Sequence, residues 1–157
     1  MGLEIERKFL VINEQWKSHI ESESRLRQGY LATQKNATIR IRIADDHAML
    51  NIKGATVGIR RSEYEYAVPL QDADEMLQNL VTDSIIDKHR YKVRCGAHLW
   101  DLDVFYGENE GLVVAEIELD SEDEAFEIPG WAGDEVSHDV RFYNANLIKQ
   151  PYKSWQP

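Results

Sequence analysis

The first strand-like segment of the chain carries two carboxylates and an amine at alternate positions. Glu4, Glu6 and Lys8 occupy every second position, with Ile5 between the two acids. Because side chains alternate between the faces of a strand, all three would project from one face. Neighbouring carboxylates repel, and each raises the cost of ionising the other. A hard divalent cation would relieve that repulsion, whereas the alternative is a solvated strand face.

The same alternation of charged and apolar residues returns along the chain, and the charges are sorted by sign from one segment to the next. The cationic positions are Arg40 and Arg42, Lys53, and Lys88 and Arg90, and the acidic positions are Glu63 and Glu65, Asp101 and Asp103, and Glu116 and Glu118. Arginine binds phosphate through a planar fork and lysine as a compact charge. Together with clustered carboxylates, they predict metal-assisted chemistry on a polyphosphate.

Two architectures accommodate strands with one apolar and one charged face. An open antiparallel sheet would turn the apolar face to a core and the charges to water. A closed barrel would turn the apolar faces outward beneath helices and the charges inward around a lumen. Periodicity alone does not distinguish them. The sorting of signs by segment favours the barrel, because a merely soluble surface tends to mix signs along each strand.

Turn residues divide the chain into eight predicted strands. Asp45 and Asp46 separate two alternating runs that would pair as a hairpin, and Gly96, Gly107 and Gly111 punctuate the later strands. The predicted strands cover 2–12, 25–34, 38–45, 47–53, 58–68, 86–95, 97–107 and 112–120. Predicted helices cover 13–24, 72–82, a short stretch that begins at 120 and ends before Pro129, and a last helix capped by Ser137 and closed by Pro151.

Composition and charge bound the class of protein. The 157 residues are 43% hydrophobic and 10% aromatic, which is typical of one globular domain over 1–157. The net charge of −10 argues against nonspecific nucleic-acid binding, but a local basic patch could still bind a small anion. The single Cys95 excludes an internal disulfide and a cysteine-rich zinc site. Without a signal peptide or an apolar run of membrane-span length, we expect a cytoplasmic protein with no membrane partner.

In their order along the chain, these segments resemble the CYTH superfamily, the triphosphate tunnel metalloenzymes. The signature EIERK at 4–8 is short, but later motifs follow it in order over nearly the whole chain, at 27–31, 40–42, 53–54, 63–65, 88–91, 101–105, 116–118 and 131–144. The resemblance implies a mainly β (α+β) fold, an eight-stranded antiparallel closed barrel with a polar tunnel and outer helices. It also implies Mg²⁺- or Mn²⁺-dependent hydrolysis of triphosphate compounds.

The resemblance further implies roles for the charged residues of the tunnel. The residues that would bind the triphosphate are Lys8, Arg40, Arg42, Lys53, Lys88 and Arg90. Glu116 and Glu118 resemble primary metal ligands, and Glu4, Glu6 and Glu63 would hold a second metal or position the attacking water. The catalytic residues would be Lys8, Tyr30 and Glu63. Tyr30 is expected either to pair with Lys8 from a neighbouring strand or to pack as an aromatic side chain.

The favoured substrate is inorganic tripolyphosphate, because the short chain has no insertion for a base or a thiazole ring. Hydrolysis of thiamine triphosphate and cyclisation of ATP by a class IV-type adenylate cyclase are the alternative activities within the family. A polyphosphate- or nucleotide-binding module without turnover is the non-enzymatic alternative. The intact acidic pairs favour the enzyme, because binding alone needs only the cations. A homodimer is left open by the sequence.

Overall fold

The computed structural model describes residues 2–81 and 83–155, in which eight strands close into an antiparallel barrel. They are β1 (Leu3–Val11), β2 (Ile20–Thr33), β3 (Ala37–Ala44), β4 (His47–Gly54), β5 (Arg60–Val68), β6 (Ile86–Cys95), β7 (His98–Phe105) and β8 (Val113–Glu118). Their order around the barrel is β1-β5-β4-β3-β2-β6-β7-β8, and the pairing of β8 with β1 closes the ring. The predicted closed barrel is therefore confirmed.

Short elements lie outside the barrel. The α-helices are α1 (Leu70–Asn79) and α2 (Asn144–Leu147), a further strand β9 (Ala132–Glu135) pairs with β1, and single 3₁₀ turns occupy Gln15–His19, Gly107–Asn109, Val140–Phe142 and Tyr152–Ser154. None of the helices in the described ranges is long and apolar enough to cross a membrane. Most of the regular structure therefore lies in the barrel wall. The outer elements cover its apolar face, because an antiparallel sheet packs one face against a core.

The strand predictions agree with the structure to within two residues at each end, except at the start of β2. The helix predicted over 13–24 is wrong, because only Gln15–His19 is helical and β2 begins at Ile20. Ser22 and Ser24 pair with β6, and this pairing extends β2 toward the N-terminus of the chain. The helix predicted over 72–82 is confirmed as α1, while residue 82 lies outside the described part of the chain.

Two further helix predictions fail, and β9 was not predicted. The stretch that begins at 120 is a turn, in which the Glu124 carboxylate contacts the Asp120 backbone N–H and His98 Nε2, each at 2.6 Å. Ser137 caps no helix, since its Oγ donates to Glu135 at 2.6 Å and accepts from the Lys8 backbone N–H at 2.9 Å. Between Ser137 and Pro151 the chain forms only the Val140–Phe142 turn and α2.

An aromatic cluster outside the barrel fastens the later part of the chain to the wall. The ring of Trp100 on β7 lies edge-on to those of Phe9 on β1 and Trp131 at centroid distances of 5.5 and 5.4 Å. Phe126 approaches Trp100 at 5.9 Å in the same orientation. Such edge-to-face pairs add stability beyond area burial. Trp16 and Trp131 are likewise buried.

The helix α1 covers the opposite side of the barrel. Its Leu77 packs in one buried cluster with Ile41 and Ile43 of β3. Gly29 of β2 permits this close approach, since a Cβ built there would lie only 2.7 Å from Val81 Cγ2. With the apolar faces of the strands covered from outside, the charged faces line the interior.

Truncation of the aromatic cluster should be strongly destabilising. Trp100 is fully buried, so Trp100→Ala should lower the free energy of unfolding by about 3–5 kcal/mol through lost transfer energy and a residual cavity. The control is Leu99→Ala, because the Leu99 side chain is 38% exposed, and its cost should stay below about 1 kcal/mol. Urea denaturation followed by circular dichroism measures both, and equal costs would refute the packing assignment.

Candidate functional site

The inward faces of the strands enclose a cavity of about 620 Å³ with a largely charged lining. The register across β1 and β8 places Lys8 opposite Glu116 and Glu6 opposite Glu118. The predicted site residues that line this lumen are Glu4, Glu6, Lys8, Tyr30, Arg40, Arg42, Lys53, Glu63, Arg90, Glu116 and Glu118. The structure therefore brings together nearly all of them, and Lys88 is the exception.

Glu6 and Glu116 form a carboxyl pair on the β1–β8 wall. The two carboxyls perturb each other's pKa. Burial and then the charge of Glu116 raise the pKa of Glu6 well above its usual range. Burial opposes ionisation of Glu116 too, but Lys8, the interaction with Glu6 and Arg90 hold its pKa well below the usual range. Of the two, Glu6 is therefore the carboxyl that is more easily protonated.

Glu4 and Glu63 form a second carboxyl pair around Lys53. The Lys53 Nζ lies 3.3 Å from Glu4 and 3.2 Å from Glu63, and the two carboxyls also hydrogen-bond to each other. Burial raises the pKa of Glu4 despite Lys53. Burial also acts on Glu63, but Lys53 outweighs it and lowers that pKa. Glu63 is therefore the ionised member of its pair.

The donor chemistry of these pairs fits a hard divalent cation. Magnesium and manganese prefer carboxylate oxygens, and a bound cation would relieve the repulsion between the paired carboxyls. Over residues 2–81 and 83–155, however, no three acidic, histidine or cysteine side chains converge as a ready-made metal site. Glu118, the last residue of β8, is exposed at the rim of the lumen. The residues therefore fit a metal by type, and binding would require their side chains to rearrange.

Some lumen cations are neutralised by carboxylates. Arg90 lies 2.8 Å from Asp103 and 3.4 Å from both Asp101 and Glu116. Lys53 is committed to its own carboxyl pair in the same way. An anionic ligand would therefore meet these two cations with much of their charge already compensated.

The other predicted substrate-binding cations of the lumen are held by neutral groups. Among the described residues they form no ion pair with a carboxylate, and their contacts are Lys8 Nζ to the Phe142 carbonyl at 3.0 Å, Arg40 Nε to Asn51 Oδ1 at 3.4 Å, and Arg42 Nε to Gln28 Oε1 at 2.9 Å. Burial, then Arg40 and Arg90, lower the pKa of Arg42 to about 9. These cations lie in partly or fully buried positions without a carboxylate in direct contact, so an anion in the lumen would be stabilising.

Lys88 shares the inward face of β6 with Arg90 but is not among the residues that line the cavity. It is 0% exposed, and its Nζ donates to Asp103 at 2.8 Å. Asp103 also accepts from Arg90 Nε at 2.8 Å, so Lys88 positions Arg90 through this shared carboxylate. Burial lowers the pKa of Lys88 to about 7. Burial opposes ionisation of Asp103 as well, but Arg90 and Lys88 outweigh it and keep that pKa well below its usual range.

The expected pairing of Tyr30 with Lys8 from a neighbouring strand is wrong. Tyr30 lies on β2, which pairs with β3 and β6, whereas Lys8 lies on β1. The tyrosine is 9% exposed and packs in a buried cluster with Ile86 and Phe105 while its side chain also lines the lumen. Its reading as a packed aromatic is the one that the contacts support.

The lumen has further basic lining residues that the sequence interpretation missed. Arg61 comes from β5, Lys35 from the turn between β2 and β3, and Lys149 from the segment after α2. The signal for Arg61 was present, because it precedes Glu63 by two positions and so shares its strand face. Lys35 and Lys149 lie outside the strands, where alternation carries no information.

Comparison with known proteins agrees with this geometry. The model of the CYTH domain family matches residues 2–152. An inorganic triphosphatase of Acetivibrio thermocellus is 44% identical over 156 residues, 99% of each chain. One of Nitrosomonas europaea is 36% identical over 149 residues, 92% of this chain and 95% of the relative. The crystal structure of the inorganic triphosphatase NE1496 has a TM-score of 0.68 and 31% identity, and covers 98% of this chain and 96% of that chain.

The buried Lys88 should make stability depend on pH in a defined window. Between about 7 and its usual value of 10.5, the folded state releases a proton that the unfolded chain retains. The free energy of unfolding should therefore rise with pH, by about 1 kcal/mol for each unit, and Lys88→Met should lose that rise. Urea titrations from pH 7 to 10 measure it, with exposed Lys17→Met as the control. If the free energies of unfolding of wild type and Lys88→Met differed by the same amount at every pH, the lowered pKa of Lys88 would be contradicted.

Proposed function

Since the chain belongs to the CYTH domain family, we propose that it is an inorganic triphosphatase that binds tripolyphosphate in the barrel lumen and depends on Mg²⁺ or Mn²⁺. The observation that carries the proposal is the juxtaposition of two sets of groups in one cavity. Lys8, Arg40 and Arg42 are hydrogen-bonded there to neutral groups, and two carboxyl pairs lie beside them. The inorganic triphosphatases that are 44% and 36% identical support this substrate class.

The unpaired cations would bind the substrate. Arg40 and Arg42 would each present the planar fork of a guanidinium to phosphate oxygens and hold the chain of phosphates in place. Lys8 lies opposite Glu116 in the register of β1 and β8, close to the acidic wall. Its ammonium would neutralise charge that develops on the phosphates during the reaction. Arg90, held by Asp103, would form a rigid cationic boundary.

The acidic residues would hold the cation and orient water. Glu116 and Glu118, with Glu4, Glu6 and Glu63, are the proposed ligands, and the bound metal supplies Lewis-acid stabilisation of charge on the transferring phosphoryl group. Glu63, whose pKa Lys53 lowers against the effect of burial, would accept a hydrogen bond from the attacking water and orient it, and the proton that the water loses passes to the phosphate products. Water adds to a terminal phosphorus, the phosphoanhydride bond breaks, and the products are orthophosphate and pyrophosphate.

The lining of the lumen favours an inorganic substrate over thiamine triphosphate or ATP. A thiazole ring or a base would need an aromatic stacking surface, and among the described lining residues only Tyr30 and Tyr143 are aromatic. Tyr30 packs in the core and the Tyr143 hydroxyl donates to the Ser137 carbonyl at 3.4 Å. A binding module without turnover would need no carboxyl pairs.

The cytoplasmic location and the homodimer stay predictions.

A phosphate-release assay across substrates tests the function. With Mg²⁺, tripolyphosphate should be hydrolysed with a kcat/KM at least about tenfold above that for ATP or thiamine triphosphate, because only the phosphates are recognised. Pyrophosphate should accumulate as a product. Faster turnover of an organic triphosphate would refute the inorganic assignment. Tight binding of tripolyphosphate without any phosphate release, under Mg²⁺ and Mn²⁺, would favour the binding module.

The acids of β8 should separate catalysis from stability. Glu116→Gln and Glu118→Gln should each lower kcat by at least about 100-fold, since a lost metal ligand removes several kcal/mol of transition-state stabilisation. Without metal, Glu118→Gln should leave the melting temperature level or higher, because burial and then Glu63 and Asp101 already disfavour its charge. Glu116→Gln should lower it, because Lys8 and Arg90 stabilise that carboxylate.

Phosphate release and calorimetric melting measure these effects, with exposed Glu14→Gln as the control for an added amide. The ligand assignment would fail if either β8 variant kept wild-type turnover at limiting Mg²⁺. Equal melting temperatures for the two β8 variants would contradict the different charge environments of Glu116 and Glu118.

A further inference from the structure

Arg61 is a lumen cation outside the substrate-binding set predicted from the sequence. Its Nε and Nη2 donate to the Gly54 carbonyl at 3.1 and 2.9 Å, and Nη2 also reaches Thr38 Oγ1 at 3.4 Å. In the described part of the chain it forms no ion pair with a carboxylate, and its Nη1 has no hydrogen-bond partner. Arg61 therefore shares the neutral surroundings of Lys8, Arg40 and Arg42.

The neighbouring Arg60 shows that the lack of an ion pair at Arg61 depends on the face of β5 that the residue occupies. Arg60 is exposed and lies outside the lumen lining, and its Nη1 lies 3.2 Å from Glu122. Arg61 is half-buried and lines the cavity. The two residues thus present the same group to opposite faces of β5, one with an acidic partner and one without.

The contacts of Arg61 place it toward one end of the barrel. Gly54 ends β4 and Thr38 lies near the start of β3. In an antiparallel barrel, the loop between β4 and β5 and the turn between β2 and β3 emerge at the same end. Lys35 in that turn and Lys149 also line the cavity. This end of the lumen therefore adds positive charge to that of the predicted binding residues.

We propose that Arg61 binds the terminal phosphoryl group of tripolyphosphate at this end of the lumen, a role that rests on the proposed function. The bonds to Gly54 and Thr38 orient the guanidinium, and its free Nη1 edge donates to the phosphate oxygens. A terminal phosphoryl group carries more charge and more free oxygens than an internal one, so it suits the two charge-assisted N–H donors that Nη1 leaves free. Arg61 is thus a substrate-binding residue that selects for the length of the phosphate chain.

The matched pair Arg60→Gln and Arg61→Gln tests this role, with Arg61→Lys as a second variant. Dissociation constants for tripolyphosphate, pyrophosphate and orthophosphate are measured by calorimetry in Ca²⁺, together with kcat and KM in Mg²⁺. Arg61→Gln should weaken tripolyphosphate binding about tenfold or more, as expected for a lost charge-assisted bond, and change orthophosphate binding much less. Arg61→Lys should recover part of the loss. Arg60→Gln should stay within about twofold of wild type.

A purely structural role would give a different pattern. If Arg61 only ties β5 to the end of β4, Arg61→Gln lowers the melting temperature of the free protein, while the tripolyphosphate-induced rise in melting temperature stays at the wild-type value. That result, or equal weakening by Arg60→Gln and Arg61→Gln, overturns the proposal. Should Arg61→Gln fail to fold, wild-type affinity of Arg61→Lys for all three anions overturns it. Failure of the wild type to bind tripolyphosphate refutes the proposed function and this role together.

Discussion

Positive charge that is hydrogen-bonded to neutral groups inside a closed barrel is the constraint on which the rest of this structure depends. Arg40 donates to the amide oxygen of Asn51, and Arg42 donates to that of Gln28. Neutral acceptors satisfy these hydrogen bonds but leave part of the charge uncompensated, which is unfavourable in a buried position. Apolar packing outside the wall, including the aromatic cluster around Trp100, stabilises the barrel that holds these charges.

The acidic residues serve two physical ends. Asp103 is fully buried and ionised, and it holds Lys88 and Arg90 in place with bonds of 2.8 Å. Such a pair is costly to break, because removal of one partner leaves a buried charge. Glu6 and Glu116 are buried together, and burial raises the pKa of Glu6 well above its usual range. One set of carboxylates thus stiffens the wall, while the other places acidic groups beside the lumen cations.

Alternation made the barrel predictable, and its absence explains the errors. Each barrel strand presents apolar and charged residues in turn, so strand bounds could be read to within two residues except where β2 begins early to pair with β6. The stretch around Glu124 has helix-forming residues but folds as a turn. The chain after Ser137 follows contacts to β1. In both places long-range contacts or side-chain bonds to the backbone override local propensity.

The sequence by itself determined which residues share one face of a strand, because a period of two follows from the geometry of a strand. It thereby grouped Glu4, Glu6, Lys8 and most of the other site residues, and the order of the motifs identified the family. Only the tertiary structure decided which inward charges are neutralised. Lys88 and Arg42 both lie on the charged face of their strands, yet Lys88 donates to the carboxylate of Asp103 and Arg42 donates to the neutral amide of Gln28. That difference comes from the register between neighbouring strands, which brings together residues far apart in the chain and which no local pattern encodes.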